Sequence, residues 1–118
     1  MTQEEKLLLL KDLCARLPYG VEVEIDGFYR GILKGIDGDI VSTDRGINYP
    51  LRLVKPYLRQ MSSMTDKERE EYNVIYACRC HEDSVRKFQE LCYSKHFDCN
   101  DLIGHNLALE APVGMYKL

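Results

Sequence analysis

The stretch GVEVEIDGFYRGILKGIDGDIVSTDRGINYPLRL, residues 20–53, decides the fold. Val21, Val23 and Ile25 alternate with Glu22 and Glu24, which is the two-residue period of a half-buried strand. Asp26-Gly27 marks a tight reversal. A second strand is expected from Phe28 to about Ile36, with Gly31 and Gly35 permitting a bulge or a sharp bend. Asp37-Gly38 gives a second turn, Ile40 to Thr43 a short third strand, and Asp44-Arg45-Gly46 a third turn. Ile47, Tyr49, Leu51 and Leu53 alternate in the fourth strand. Pro50 cannot donate to a ladder, so this strand belongs at an edge. Four short strands joined by glycine turns form a meander. A strongly twisted meander bent at glycines tends to curl. The expected class is therefore α+β: an N-terminal helix, a four- or five-stranded antiparallel meander curled into a small SH3-like or Sm-like barrel, then two to three helices. An open sheet with helices on one face is the alternative.

The flanks fit that frame. Thr2 and Glu5 have capping-box spacing, and a helical run follows. Leu7, Leu10, Cys14 and Leu17 fall on one stripe, broadened by Leu9 and Leu13. Glu4, Lys6, Lys11, Asp12 and Arg16 are expected to cover the other side, and Pro18 stops the helix. After the meander, Val54 to Leu58 is expected to leave the sheet through a short helical turn. Thr65 and Glu68 form a second capping box, opening a surface helix that reaches Tyr76 or Cys78, with Tyr72, Ile75 and Tyr76 as its apolar face. A further helix is expected from Glu82 or Asp83. Its inner stripe would be Val85, Phe88, Leu91, Cys92 and His96, with Glu82–Arg86 and Asp83–Lys87 paired outside. Asp98 is placed to cap one last turn through Ile103, which Gly104 ends. The tail from Leu107 to Tyr116 either lies back across a sheet edge or docks on a partner. Residues 1–118 read as a single domain, with the helix and meander in 1–60 and the helical part and tail in 61–118.

The formal charge is −3. Residues 1–19 carry three acids and three bases, residues 20–60 six of each, and residues 61–118 ten acids and seven bases. The concentrated positive field that dominates phosphate-backbone binding is missing from this distribution. A chain of this length buries about two-thirds of its unfolded surface without staples. Its five cysteines are an odd number, which fits reduced thiols in a cytoplasm. No run of about 20 apolar residues is present, so no membrane span is expected.

Chemistry is sparse. Cys78, Cys80 and His81 lie together, and Cys92 and His96 share one helix face, so a Cys₂His₂ zinc set can be drawn from Cys80, His81, Cys92 and His96. Three points oppose it. Cys78-Arg79-Cys80 is not the C-x₂-C knuckle. The interval between Cys80 and Cys92 matches no common finger. Cys92 also falls on the apolar stripe, where a free cysteine usually acts as a small hydrophobe. Cys80 beside His81 lacks an orienting third group and so makes a poor nucleophile pair. Glu22 and Glu24 read as the solvated face of a strand. No P-loop, dinucleotide fingerprint or H-E-x-x-H occurs. No catalytic, cofactor-binding or metal-binding residue is assigned. The one candidate surface is Tyr29, Arg30, Lys34, Arg45, Arg52, Tyr57 and Arg59, a set suited to single-stranded nucleic acid on a small barrel. Six acids in the same segment offset its field.

The segments KDLCARLPYGV (11–21), VKPYLRQMSSMT (54–65) and HFDCNDLIGHNLALEAPVGMY (96–116) resemble a family of short uncharacterised proteins from gut bacteria and their prophages. That pattern carries a tyrosine after the His-Phe-Asp run, where this chain has Cys99, which argues against a metal role for Cys99. The resemblance brings no activity, cofactor or catalytic residue, and it implies a setting in phage or mobile-element biology. The expectation from sequence is a non-enzymatic binding module for a protein partner, a second copy of the chain included. A nucleic-acid-binding accessory protein is the alternative.

Overall fold

The computed structural model describes residues 1–116. Helix α1 (Gln3–Arg16) opens on the predicted capping box. The Glu5 N–H donates to the Thr2 hydroxyl at 3.1 Å, and the Thr2 N–H donates to the Glu5 carboxylate at 3.0 Å. Its inward face differs from the leucine stripe expected. Leu9, Asp12, Leu13 and Arg16 are buried, while Leu7 and Cys14 are exposed. Asp12 and Arg16 stand one turn apart and neutralise each other, so the pair can go inside beside two leucines. Leu7 outside costs little, because single exposed apolar side chains are ordinary on a protein surface.

Six strands form one sheet in the order β4-β3-β2-β1-β5-β6. They are β1 (Glu22–Ile25), β2 (Tyr29–Asp37), β3 (Ile40–Thr43), β4 (Asn48–Pro50), β5 (Val54–Leu58) and β6 (Leu109–Glu110). Neighbours are antiparallel from β4 through to β5, and β6 runs parallel to β5. The first reversal holds both Asp26 (φ 53°) and Gly27 (φ 76°) in the left-handed region, which favours glycine. Pro50 does lie on an edge strand. The fourth strand is shorter than expected, because Leu51–Leu53 winds into a single 3₁₀ turn.

β2 is the pivot of the sheet. It pairs with β1 along Tyr29 to Ile32 and with β3 along Leu33 to Asp37, with a register irregularity between Leu33 and Gly35. The 3₁₀ turn ties both halves together. The Leu51 N–H donates to the Asp39 carbonyl at 2.7 Å, and the Asp26 N–H donates to the Leu53 carbonyl at 2.8 Å. Among the described residues no ladder joins β4 to β6, so the sheet is open and the two strands form its edges.

Val54–Leu58 corrects the sequence reading: it is a strand inside the sheet, not a helical exit. Val54, Pro56 and Leu58 alternate into the interior. Pro56 is tolerated opposite Val23 because bonded and non-bonded pairs alternate along an antiparallel ladder. Counting from the Asp26–Leu53 bond, Val23–Pro56 falls at a non-bonded pair.

The core joins sheet residues Val21, Val23, Ile25, Leu33, Val41, Val54 and Leu58 to Leu9 and Leu13 of α1, and to Leu102, Leu107 and Ala108. α2 (Asp66–Ala77) carries the predicted Thr65–Glu68 capping box, and Glu68 is its only buried residue. α3 (Ser84–Ser94) buries Ser84, Leu91 and Cys92. Val85 is 65% exposed, so the inner stripe expected there is shorter. His96 lies beyond the helix at φ 64°. Arg86 meets Asp83 at 3.6 Å in place of the pairs expected from spacing. Asp98 caps as expected, accepting from the Leu102 N–H at 2.8 Å and the Ile103 N–H at 3.1 Å, although the segment forms turns and no helix.

The tail lies back across the sheet edge, the first of the two readings. The Ala111 N–H donates to the Leu58 carbonyl at 2.8 Å. The Tyr116 hydroxyl accepts from the Glu22 N–H at 3.1 Å and donates to the Tyr57 carbonyl at 2.6 Å.

Candidate functional site

The seven residues proposed as a nucleic-acid surface separate into four groups. Tyr29, Arg30 and Arg45 gather at neighbouring turns, where the Arg45 Nε–H donates to the Arg30 carbonyl at 2.7 Å. All three are exposed, and Phe28 beside them is 84% exposed. Lys34 is exposed farther along β2. Arg52 is exposed in a different setting, lining a hollow with Met1, Lys6 and Asp39.

Tyr57 and Arg59 are corrections, because both are buried. The Tyr57 hydroxyl donates to Glu24 at 2.9 Å, and the Arg30 guanidinium stands 5.1 Å from the centre of its ring. Burial and the Glu24 hydrogen bond raise the Tyr57 pKa. Arg59 is fixed on every side. Its Nη1 and Nη2 each donate to Glu68 at 2.8 Å, and they also reach the carbonyls of Lys95 (3.3 Å) and Ser63 (3.0 Å). Its plane stands 4.3 Å from the Phe97 ring centre. The Arg59 guanidinium holds the Glu68 carboxyl down to about 2. Arg59 therefore fastens α2 and the chain after α3 onto the end of β5 and is not free to meet a ligand.

A second buried ion pair lies under α1. Arg16 Nε donates to Asp12 at 2.5 Å, and its Nη2 donates to the Phe97 carbonyl at 2.6 Å. Asn100 Nδ2 completes Asp12 at 2.8 Å. The burial of Asp12, Arg16 and Glu68 escapes notice in the sequence because polar residues on a helix read as its wet face. The only signal is the four-residue spacing of Asp12 and Arg16, which also describes countless surface pairs.

The cysteines and histidines do not assemble as a metal site. Cys78 and Cys80 are exposed at the end of α2, whereas Cys92 is in the interior. The His96 ring stacks on Tyr116 with centroids 3.9 Å apart. Burial, then the charges of Arg16, Arg59 and Lys95, lower its pKa to about 4. Among the described residues no group of three or more His, Cys, Asp or Glu could hold a metal ion.

An apolar recess lies between α2 and α3. Tyr72, Ile75, Tyr76, Val85 and Phe88 line a hollow of about 240 Å³, with Arg79 at its rim. Tyr72 meets Phe88 edge-on at 5.8 Å and lies near-parallel to Tyr76 at 6.3 Å. The Arg79 guanidinium covers the Tyr76 ring at 4.6 Å. The helix face was legible in the sequence. The groove was not, because it depends on Val85 turning outward beside it.

Comparison with protein families, with curated proteins and with solved structures finds no match to this chain. Among the described residues no helix is long and apolar enough to cross a membrane.

Proposed function

We propose that this chain is a non-enzymatic binding module, working in a reducing cytoplasm, whose contact face for a protein partner is the α2–α3 groove. One observation carries the reading. α2 buries only Glu68, which Arg59 clamps, and it directs its aromatic and aliphatic face outward into the hollow with Val85 and Phe88. Rigid aromatic side chains with an arginine at the rim are the groups that dominate protein–protein contacts. The motif resemblance supports a phage-derived setting for the partner.

The test compares bait protein with a Tyr76→Ser/Val85→Ser variant in quantitative pull-downs and light scattering. The expected result is a partner, or self-association, that the variant loses at unchanged thermal stability. Equal recovery by both proteins, or no association by either, overturns the reading.

An SH3-like curl of the sheet belongs to the same proposal. It is supported by the division of β2 between two partners and by the 3₁₀ turn bonded to both Asp39 and Asp26. Corners in such sheets are made by strands that switch partners at a bulge.

A second reading, a nucleic-acid-binding accessory protein, is favoured by the exposed cluster of Phe28, Tyr29, Arg30 and Arg45. Fluorescence anisotropy with single-stranded and duplex oligonucleotides at low salt tests it. Binding that falls in Arg30→Ala/Arg45→Ala supports it, and no binding at low salt removes it.

A further inference from the structure

We propose that two adjoining hollows beside the 3₁₀ turn bind a small organic anion, a carboxylate or phosphate head carried on a short apolar body. The first hollow, about 240 Å³, is lined by Arg52, Lys55 and His105 together with Leu9, Val54 and Leu107. The second, about 370 Å³, is lined by Pro50 and Leu51, with the Lys6–Asp39 pair beside them. Met1 and Arg52 line both, so the two adjoin. Neither shares a residue with the α2–α3 groove. Sites for small ligands span about 300–1,000 Å³ and combine an apolar lining with a few placed polar groups. A hollow rich in cations next to an apolar one fits that description.

Three connections fix the walls. The Leu51 N–H donates to the Asp39 carbonyl at 2.7 Å, which seats the 3₁₀ turn against the β2–β3 reversal. Lys6 Nζ meets the Asp39 carboxylate at 2.7 Å and ties α1 to the same reversal. Lys55 Nζ donates to the Asn106 side-chain oxygen at 3.2 Å, which joins β5 to the turn that holds His105. Residues far apart in the chain are thus held around one opening.

The charges there are unevenly matched. Asp39 is taken by Lys6. Glu5, in the wall of the first hollow, accepts the Thr2 N–H at 3.0 Å in the capping box. Glu24, opposite Lys55 in the ladder, accepts the Tyr57 hydroxyl at 2.9 Å. The Asp101 carboxylate stands 3.9 Å from His105 Nδ1. Arg52 makes no ion pair among the described residues, and Lys55 bonds a neutral amide oxygen. Two unmatched cations therefore line one hollow, on a chain whose formal charge is −3. A guanidinium holds a carboxylate or phosphate through two parallel N–H donors, and an ammonium adds a point charge. A head group bound to Arg52 leaves its apolar body beside Pro50 and Leu51, where contact removes it from water.

The test titrates the isotope-labelled full chain with hexanoate, hexyl phosphate, inorganic phosphate or hexanol and follows backbone amide shifts by NMR. Hexanoate or hexyl phosphate should give saturable shifts at Leu51 to Leu53 and at His105 to Leu107, and the tighter of the two identifies the head group. Added salt should weaken the binding. Arg52→Gln should weaken it about tenfold, the scale of a hydrogen bond to a charged group. Arg52 is exposed, so that variant should keep the native spectrum elsewhere. Lys55→Gln should weaken binding in the same direction. Four results overturn the proposal: no saturable shift at these residues with either amphiphilic anion, shifts centred on the α2–α3 groove instead, hexanol or inorganic phosphate binding as tightly as the amphiphilic anions, or unchanged affinity in Arg52→Gln.

Discussion

The guanidinium of Arg59 and the carboxylate of Glu68 meet through two parallel 2.8 Å hydrogen bonds at a place where both side chains are nearly inaccessible to water. The pair joins the end of β5 to the first turn of α2. Glu68 closes the capping box as well, accepting the Thr65 N–H at 2.9 Å. One carboxylate thus caps a helix and neutralises a buried cation.

Arg59→Ala leaves Glu68 without its counter-ion. A loss of about 3–5 kcal/mol is expected, because removing one partner strands a buried charge. Urea unfolding should show a lower midpoint at an unchanged slope. Arg59→Met combined with Glu68→Leu should recover much of the loss. If the single variant unfolds at the native midpoint, the clamp is not a structural element.

The same carboxylate makes stability depend on pH. Its folded pKa, near 2, lies below its ordinary value of 4.5, so the unfolded chain binds the proton more readily. The stabilisation from Glu68 is present above about pH 4.5 and disappears as pH falls toward 2. Thermal midpoints between pH 5 and 2 should therefore decline, and Glu68→Gln should flatten that decline. A parallel decline in both proteins would assign the acid sensitivity to other groups.

Tyr116→Phe removes a hydroxyl that holds the tail to both Glu22 and Tyr57. Stranding the Glu22 N–H and the Tyr57 carbonyl is expected to cost about 1–3 kcal/mol. Hydrogen exchange should accelerate at Glu22 and across residues 109–116. Unchanged protection there would show that the His96 stack and β6 suffice to hold the tail.

Leu13→Ala and Leu7→Ala should behave oppositely, although both are leucines of one helix. Leu13 is fully buried, and its truncation is expected to cost about 2–5 kcal/mol. Leu7 is 57% exposed, and its truncation should stay within about 0.5 kcal/mol. Equal costs would return α1 to the orientation its leucine spacing suggests.

That contrast shows what the sequence carries. The meander was legible because period-two alternation and glycine turns are local signals: the strand from Glu22 to Ile25, the Asp26-Gly27 reversal and the edge position of Pro50 all follow from neighbours in the chain. Both capping boxes were legible for the same reason. The rotation of α1 was not. Leu7, Leu9, Leu10 and Leu13 offer two overlapping stripes, and the choice falls to Asp12 and Arg16, whose acceptor and donor lie at Phe97 and Asn100. Val54–Leu58 was misread because Pro56 argues against an inner strand unless its partner's hydrogen-bonding phase is known. Arg59 read as a surface cation because its carboxylate partner lies in another element. Of the candidate surfaces, the aromatic face of α2 could be seen in advance, whereas Val85, which completes the groove, faced the wrong way in any stripe drawn from spacing.

The hydrogen bond from Arg16 to the Phe97 carbonyl also bears on how the protein is made. Residues 1–60 emerge from the ribosome first, and α1 and β1 to β5 can pair at once. The acceptor for Arg16 and the amide that completes Asp12 are translated much later. Until they arrive the nascent half holds a charged pair whose protein shell is unfinished and whose open side is left to water. Its interior should stay soft during elongation and set only when the second half packs onto it, so a pause in translation before residue 97 would prolong that unfinished state.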